Sequence, residues 1–208
     1  MGAACGINVS PAGDGAFRRA LWWVIAINAT MFVVEAGGGW LAASAALHAD
    51  ALDFAGDTVT YALSLFVLAR PPRWRATAAL VKGMAMAAMG VWVLGITGYR
   101  VLVLGVPDAA MMGAIGGLAF AANLAAVLVL FRFRGGDANM RSVWLCSRND
   151  TIGNLAVIAA ASGVFATGTG WPDLAVATVM ASLFISGAVQ VLRQAAGELR
   201  PAGQQAAG

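Results

Sequence analysis

Apolar residues run through this chain in blocks of about twenty, separated by short groups rich in glycine, proline and arginine. A helix needs about 20 predominantly apolar residues to cross the hydrocarbon core of a bilayer. Blocks meeting that requirement fall at 20–43, 46–69, 76–98, 109–131, 143–167 and 173–193. The block from Ala109 to Phe131 carries no charged residue, and the last is equally clean from Leu174 to Leu192. The third has only Lys82, near its start. The pattern predicts six transmembrane helices and no strands.

Composition agrees with the pattern. The chain of 208 residues is 60% hydrophobic and 11% charged, with a mean hydropathy of +0.78. Soluble domains carry roughly 25% charged residues. The fold class is therefore an all-α integral membrane protein. Residues 1–17 read as a flexible tail without the basic start and apolar core of a signal peptide. Residues 18–195 form the six-helix transmembrane domain, and 196–208 form a short second tail with no room for a soluble C-terminal domain.

Lys and Arg in short loops mark the cytoplasmic side. Arg18 and Arg19 precede the first block, Arg70, Arg73 and Arg75 follow the second, and Arg132, Arg134 and Arg141 follow the fourth. Arg193 and Arg200 close the chain, and the opposite side has only Arg100. Both termini are expected in the cytoplasm, in a multi-pass protein of the cytoplasmic (inner) membrane. The same bias accounts for the net charge of +3, so no nucleic-acid partner is implied. Trp22, Trp23, Trp40, Trp74, Trp144 and Trp171 sit near block ends, as an aromatic belt would.

Five acidic residues contradict the greasy background. Asp14, Asp108, Asp137, Asp173 and Glu198 belong to tails or loops and carry no special message. Glu35, Asp50, Asp53, Asp57 and Asp150 lie within or at the edge of the blocks. A carboxylate at the bilayer centre costs at least about 2.5 kcal/mol and is a functional candidate by default. Asp50, Asp53 and Asp57 follow the i, i+3, i+7 spacing that shares one helix face. Cys146 and Asp150 are one turn apart, and Asn154 extends their line. Two helices, each offering a pair of ligands one turn apart, can enclose a cation.

Carboxylates and a thiolate are competent ligands for a tetrahedral zinc site. A thiolate favours zinc, cadmium or cobalt, whereas an all-oxygen set suits manganese or magnesium. Cys146 reads equally well as a plain buried thiol, and Asn154 could take its place in the shell. Neither Cys5, in a tail, nor Cys146, within a block, has a placement that suits a disulfide.

Several motifs together resemble the cation diffusion facilitator family, over nearly all of residues 18–195. The run "FVVEAGGGWLAASAALHADALDFAGDTV" is similar to that family's Glu, Gly, small-residue turn, Leu-Ala-Asp and metal pair, with Asp53 and Asp57 as the pair and Asp50 as the preceding aspartate. "AIGGLAFAANLAAVLVL" resembles its fourth span, with Asn123 at the Asn, and "GWPDLAVATVMASLFISGAVQVLRQA" its sixth. "NMRSVWLCSRNDTIGNLAVIAA" resembles the His-x-x-x-Asp stretch, with Asp150 at the Asp and Cys146 replacing the His. The resemblance implies a proton-coupled antiporter exporting a divalent transition metal from the cytoplasm. Zinc is the first candidate; cadmium, cobalt, iron and manganese are others. It also implies a homodimer, here through the transmembrane domain, and a short form without the family's cytoplasmic C-terminal domain.

The implied metal and protons share a site formed by Asp53, Asp57, Cys146 and Asp150, with Asp50, Asn154, Glu35 and His48 as neighbours or pathway residues. Glu35 reads first as bonding a neighbouring helix, and Asp50 as a residue of the outer mouth. His48 reads as a titrating surface residue near the external end of its span. Asn28, Asn123 and Asn154 suit interhelical hydrogen bonds. Competing functions are a passive cation channel, a metal-sensing subunit and, more remotely, an intramembrane aspartyl protease, whose second motif is missing. No enzymatic activity and no cofactor are expected; the metal is cargo.

Overall fold

A computed structural model describes residues 15–67, 72–103, 105–135 and 138–198. The helices are α1 (Gly15–Leu41), α2 (Ala45–Val67), α3 (Pro72–Leu102), α4 (Ala109–Leu130), α5 (Ala138–Thr167) and α6 (Trp171–Glu198), with one short 3-10 turn at Phe131–Phe133. The predicted all-α architecture is what folds. Of the predicted tails, residues 1–14 and 199–208 lie outside the described residues, as does Cys5.

The six predicted helices all form; among the described residues, five of them are by themselves long and apolar enough to cross a membrane. The exception is α2, whose 23 residues include His48, Asp50, Asp53 and Asp57. Its position explains how it carries them. Side chains of α2 enter every region of the core: Tyr61 packs with Phe17, Leu21 and Leu130, and Phe54 with Met31 and Ala119. Leu47 meets Met112 and Val157, Ala49 meets Val93 and Ala177, and Leu52 lies against Met86 and Phe184. The other helices shield α2, so its polarity is hidden inside the bundle. Trp22, Trp23, Trp40, Val91, Phe165 and Trp171 instead point outward, more than half exposed, as residues facing lipid must.

The most extensive helix pairs are α3 with α6, α1 with α2 and α4 with α5. Gly90 permits the first, because a Cβ there would lie 3.3 Å from the Ala181 carbonyl oxygen and closer still to Ile185.

The α1–α2 connection is a sharp corner at Ala43, a left-handed non-glycine residue (φ 52°). Arg100 donates to its carbonyl from the end of α3. The corner leaves the first N–H groups of α2 inside protein, where an unpaired donor is costly. Asp173, from the first turn of α6, supplies the acceptors. Its Oδ2 takes the Ala45 N–H at 2.8 Å, and its Oδ1 takes the Ala46 N–H at 3.0 Å and the Ser44 hydroxyl at 2.6 Å. Asp173 is completely buried, which corrects its reading as an uninformative loop acid. A helix cap is ordinarily local; this one crosses from α6 to α2. Asp108, expected in a loop, caps its own helix by accepting from Ala110 and Met111.

Asp173→Ala is expected to strip three donors of their acceptor and cost about 2 kcal/mol or more. A clearly lower melting temperature of the detergent-purified protein would show this, with Asp173→Asn intermediate. An unchanged melting temperature would mean that the cap is dispensable.

Candidate metal centre

The polar residues of the bundle interior form two tiers along α2. The tier nearer the α1–α2 corner contains Glu35 of α1, Asp50 of α2, Asn123 of α4 and Asn154 of α5, all at most 4% exposed. Asn123 donates to the Asn154 side-chain oxygen at 2.9 Å, and Asn154 donates to Asp50 Oδ2 at 2.7 Å. Both ends of the Asn154 amide are therefore committed. This fulfils its reading as an interhelical hydrogen-bonder, and as the structure stands its oxygen faces Asn123 and not a cation. Glu35 does reach a neighbouring helix, as expected, by lying against Asp50. Neither of its oxygens meets a donor in hydrogen-bonding geometry.

His48 is 7% exposed, not the surface residue the sequence suggested. Its Nδ1 donates to the Ser44 carbonyl at 2.7 Å, and its ring meets Trp40 edge to face with centroids 5.5 Å apart. Gly39 makes room for it: a Cβ there would stand 2.7 Å from Nδ1. The corner folds α1 back over the start of α2, and that burial could not be read from position 48 alone.

The second tier gathers Asp53 and Asp57 of α2 with Asp150 of α5. Asp57 and Asp150 are 8% and 5% exposed, and Asp53 is half-buried. Asp150 interacts with both aspartates of α2. The two helices thus turn their acidic edges towards each other, as the spacing predicted. Unlike Asp50, Asp150 has no donor to either oxygen. Among the described residues, no three His, Cys, Asp or Glu side chains are drawn into one chelating cluster. The carboxylates face one another pairwise around Asp150.

Sequence reasoning missed three neighbours. Tyr61, fully buried one turn beyond Asp57, interacts with Asp57 and with Ser147 of α5. Lys82 of α3 is 6% exposed and interacts electrostatically with Asp57, Asp53 and Asp150. The available signals were the i, i+4 relation of Tyr61 to Asp57 and the isolation of Lys82 as the one charge in its block.

Cys146 is buried one turn from Asp150, where the sequence placed it. The other cysteine, Cys5, lies outside the described residues, and with it the expectation about a disulfide. Arg148 points outward, stacked over Trp144, as a residue reaching for the membrane edge would.

A cavity of about 370 Å³ between α5 and α6 touches this tier, with Asp53, Asn149 and Asp150 in its otherwise apolar wall of Val176, Val179 and Phe184.

A helical bundle with lipid-type outer surfaces and carboxylates gathered inside defines a multi-pass membrane protein with an acidic interior. The chain matches the cation efflux transmembrane domain over residues 21–199, and it belongs to that family. It is 25% identical over 178 residues to the metal cation efflux system protein CzcD of Cupriavidus metallidurans, and equally so to the cation efflux system protein CzcD of an Alcaligenes strain. These alignments cover 80% of this chain and 56% of each relative, so the chain spans about half the length of the curated relatives it matches.

Asn154→Ala is expected to cut the Asn123–Asn154–Asp50 chain and destabilise the bundle by about 1 kcal/mol. Metal affinity measured by calorimetry should stay within a few-fold of wild type. A complete loss of binding would put Asn154 in direct contact with the ion.

Proposed function

We propose that the protein exports a divalent transition-metal cation from the cytoplasm in exchange for protons, with both ions using the Asp53–Asp57–Asp150 tier. One observation carries the reading: Asp150 faces two aspartates from another helix while both its oxygens lack donors. Buried carboxylates are ordinarily hydrogen-bonded or paired. A carboxylate left this way, beside two others, suits a ligand that arrives and leaves. The names of the CzcD relatives, both efflux proteins, point the same way. The family assignment sets aside the protease reading.

Coupling follows from the chemistry of the ligands. Carboxylates coordinate metal only when deprotonated, so binding releases protons and protonation expels the ion. With a single tier alternately open to each side, protons entering from outside compete off a metal loaded from inside. Zinc fits a small set of oxygen ligands, and a Cys146 thiolate would bias the tier towards softer ions.

Asp57→Asn and Asp150→Asn are each expected to lower zinc flux into proteoliposomes by about a hundredfold or more, since each removes a charged ligand at an intramembrane site. Zinc affinity of the wild type should fall steadily from pH 8 to pH 6, because protons and metal compete for the same oxygens. A flux that follows voltage and ignores an imposed pH gradient would favour a channel and overturn the antiport reading. Cys146→Ser, compared with wild type across zinc, cadmium, cobalt, iron and manganese, is expected to shift preference towards the harder ions if the thiolate ligates.

A further inference from the structure

Among the described residues, Lys82 is the one buried cation. Its surroundings follow from the packing of α3 on α2. Val93 of α3 lies with Ala45 and Ala49 of α2, and Met86, two turns earlier in α3, lies with Leu52. The helices run in opposite directions, so one turn further along this seam Lys82 reaches the level of Asp57. Its electrostatic partners agree with that register: Asp57 first, then Asp53 and Asp150. No other Lys or Arg on α1, α2, α4, α5 or α6 is buried among the described residues.

We propose that Lys82 is a tethered cation that sets the charge of the metal cage, acting as a positioning residue that weakens metal binding enough to permit release. This rests on the reading of the aspartate tier as the transport site. Three carboxylates and one ammonium carry a formal charge of minus two, which one divalent ion neutralises. Without Lys82 the cage carries minus three. A divalent ion then gains attraction and leaves more slowly, because a like charge buried beside the tier has gone. Lys82 also gives the carboxylates a counter-charge before metal arrives, sparing the bundle an uncompensated acidic cluster. An ammonium on a flexible four-carbon stem suits this role, since it can withdraw as the ion enters.

The test compares wild type, Lys82→Met, Lys82→Gln and Lys82→Arg, each purified in detergent and checked for monodispersity. Calorimetry reads zinc and cadmium affinity, and proteoliposome flux reads KM and kcat. The proposal expects the two neutral variants to bind zinc about tenfold or more tighter, with KM and kcat both lowered. Lys82→Arg, which keeps the charge, should stay near wild type. A merely structural lysine would instead give neutral variants with a lower melting temperature and unchanged or weaker affinity, and that result overturns the proposal. If only one neutral variant stays folded, its affinity decides. If wild type binds metal and loses it with Asp57→Asn while the Lys82 variants bind like wild type, the transport site stands and the tethered cation falls. If wild type binds no metal, the site reading itself fails.

Discussion

The structure depends on keeping carboxylates of α2 away from lipid. On insertion scales each would cost about 2.5–3.5 kcal/mol at the bilayer centre if it faced hydrocarbon, and Asp50, Asp53 and Asp57 share one side of a single helix. The bundle therefore places α2 at its centre, with side chains of α1, α3, α4, α5 and α6 packed around it. That position lets α2 fall below the apolarity that its neighbours reach. It also creates a second demand, because a helix that begins inside protein has N–H groups that water cannot satisfy. Asp173 meets this demand from α6, so an acid outside the aspartate face of α2 is a consequence of the acids on it.

The two polar tiers differ in how fully their groups are satisfied, and that difference separates scaffold from site. In the first, amide side chains from α4 and α5 close onto Asp50 at ordinary hydrogen-bond lengths. Such bonds average only about 0.6 kcal/mol in membrane bundles, but they specify which helices meet and at what height. One turn along α2 the chain of amides stops. Asp150 faces carboxylates where Asn154 faces an amide, and a donor-free carboxyl is stable there only with a positive charge beside it or a proton on it. Lys82 supplies one such charge from α3. The first tier fixes the distance between α2 and α5 that the second tier uses.

Much of this was legible in the sequence. The spacing of Asp50, Asp53 and Asp57 established a face, and the position of Asp150 in another apolar block established its partner. Periodicity could not say which side of α3 meets α2, so Lys82 read as an incidental charge at a helix start. Asp173 looked like a loop residue because its partners are more than 120 positions away. His48 looked exposed because the corner that buries it depends on Ala43 taking a left-handed conformation that alanine seldom adopts. Cys146 was placed correctly, buried one turn from Asp150. In each case the faces of helices were legible, and the contacts between elements were not.

The charge of the second tier also bears on whether Cys146 belongs among the ligands. Asp53, Asp57 and Asp150 against Lys82 leave a formal charge of minus two, and a divalent ion cancels it. A thiolate would add a fourth negative charge and leave the loaded cage at minus one, deep in a medium that penalises net charge. Without that fourth charge the loaded cage would be neutral, and a neutral fourth ligand such as water would complete a zinc shell without disturbing the balance. On electrostatic grounds the proposed site therefore rests on the three aspartates, with Cys146 as their neighbour one turn from Asp150.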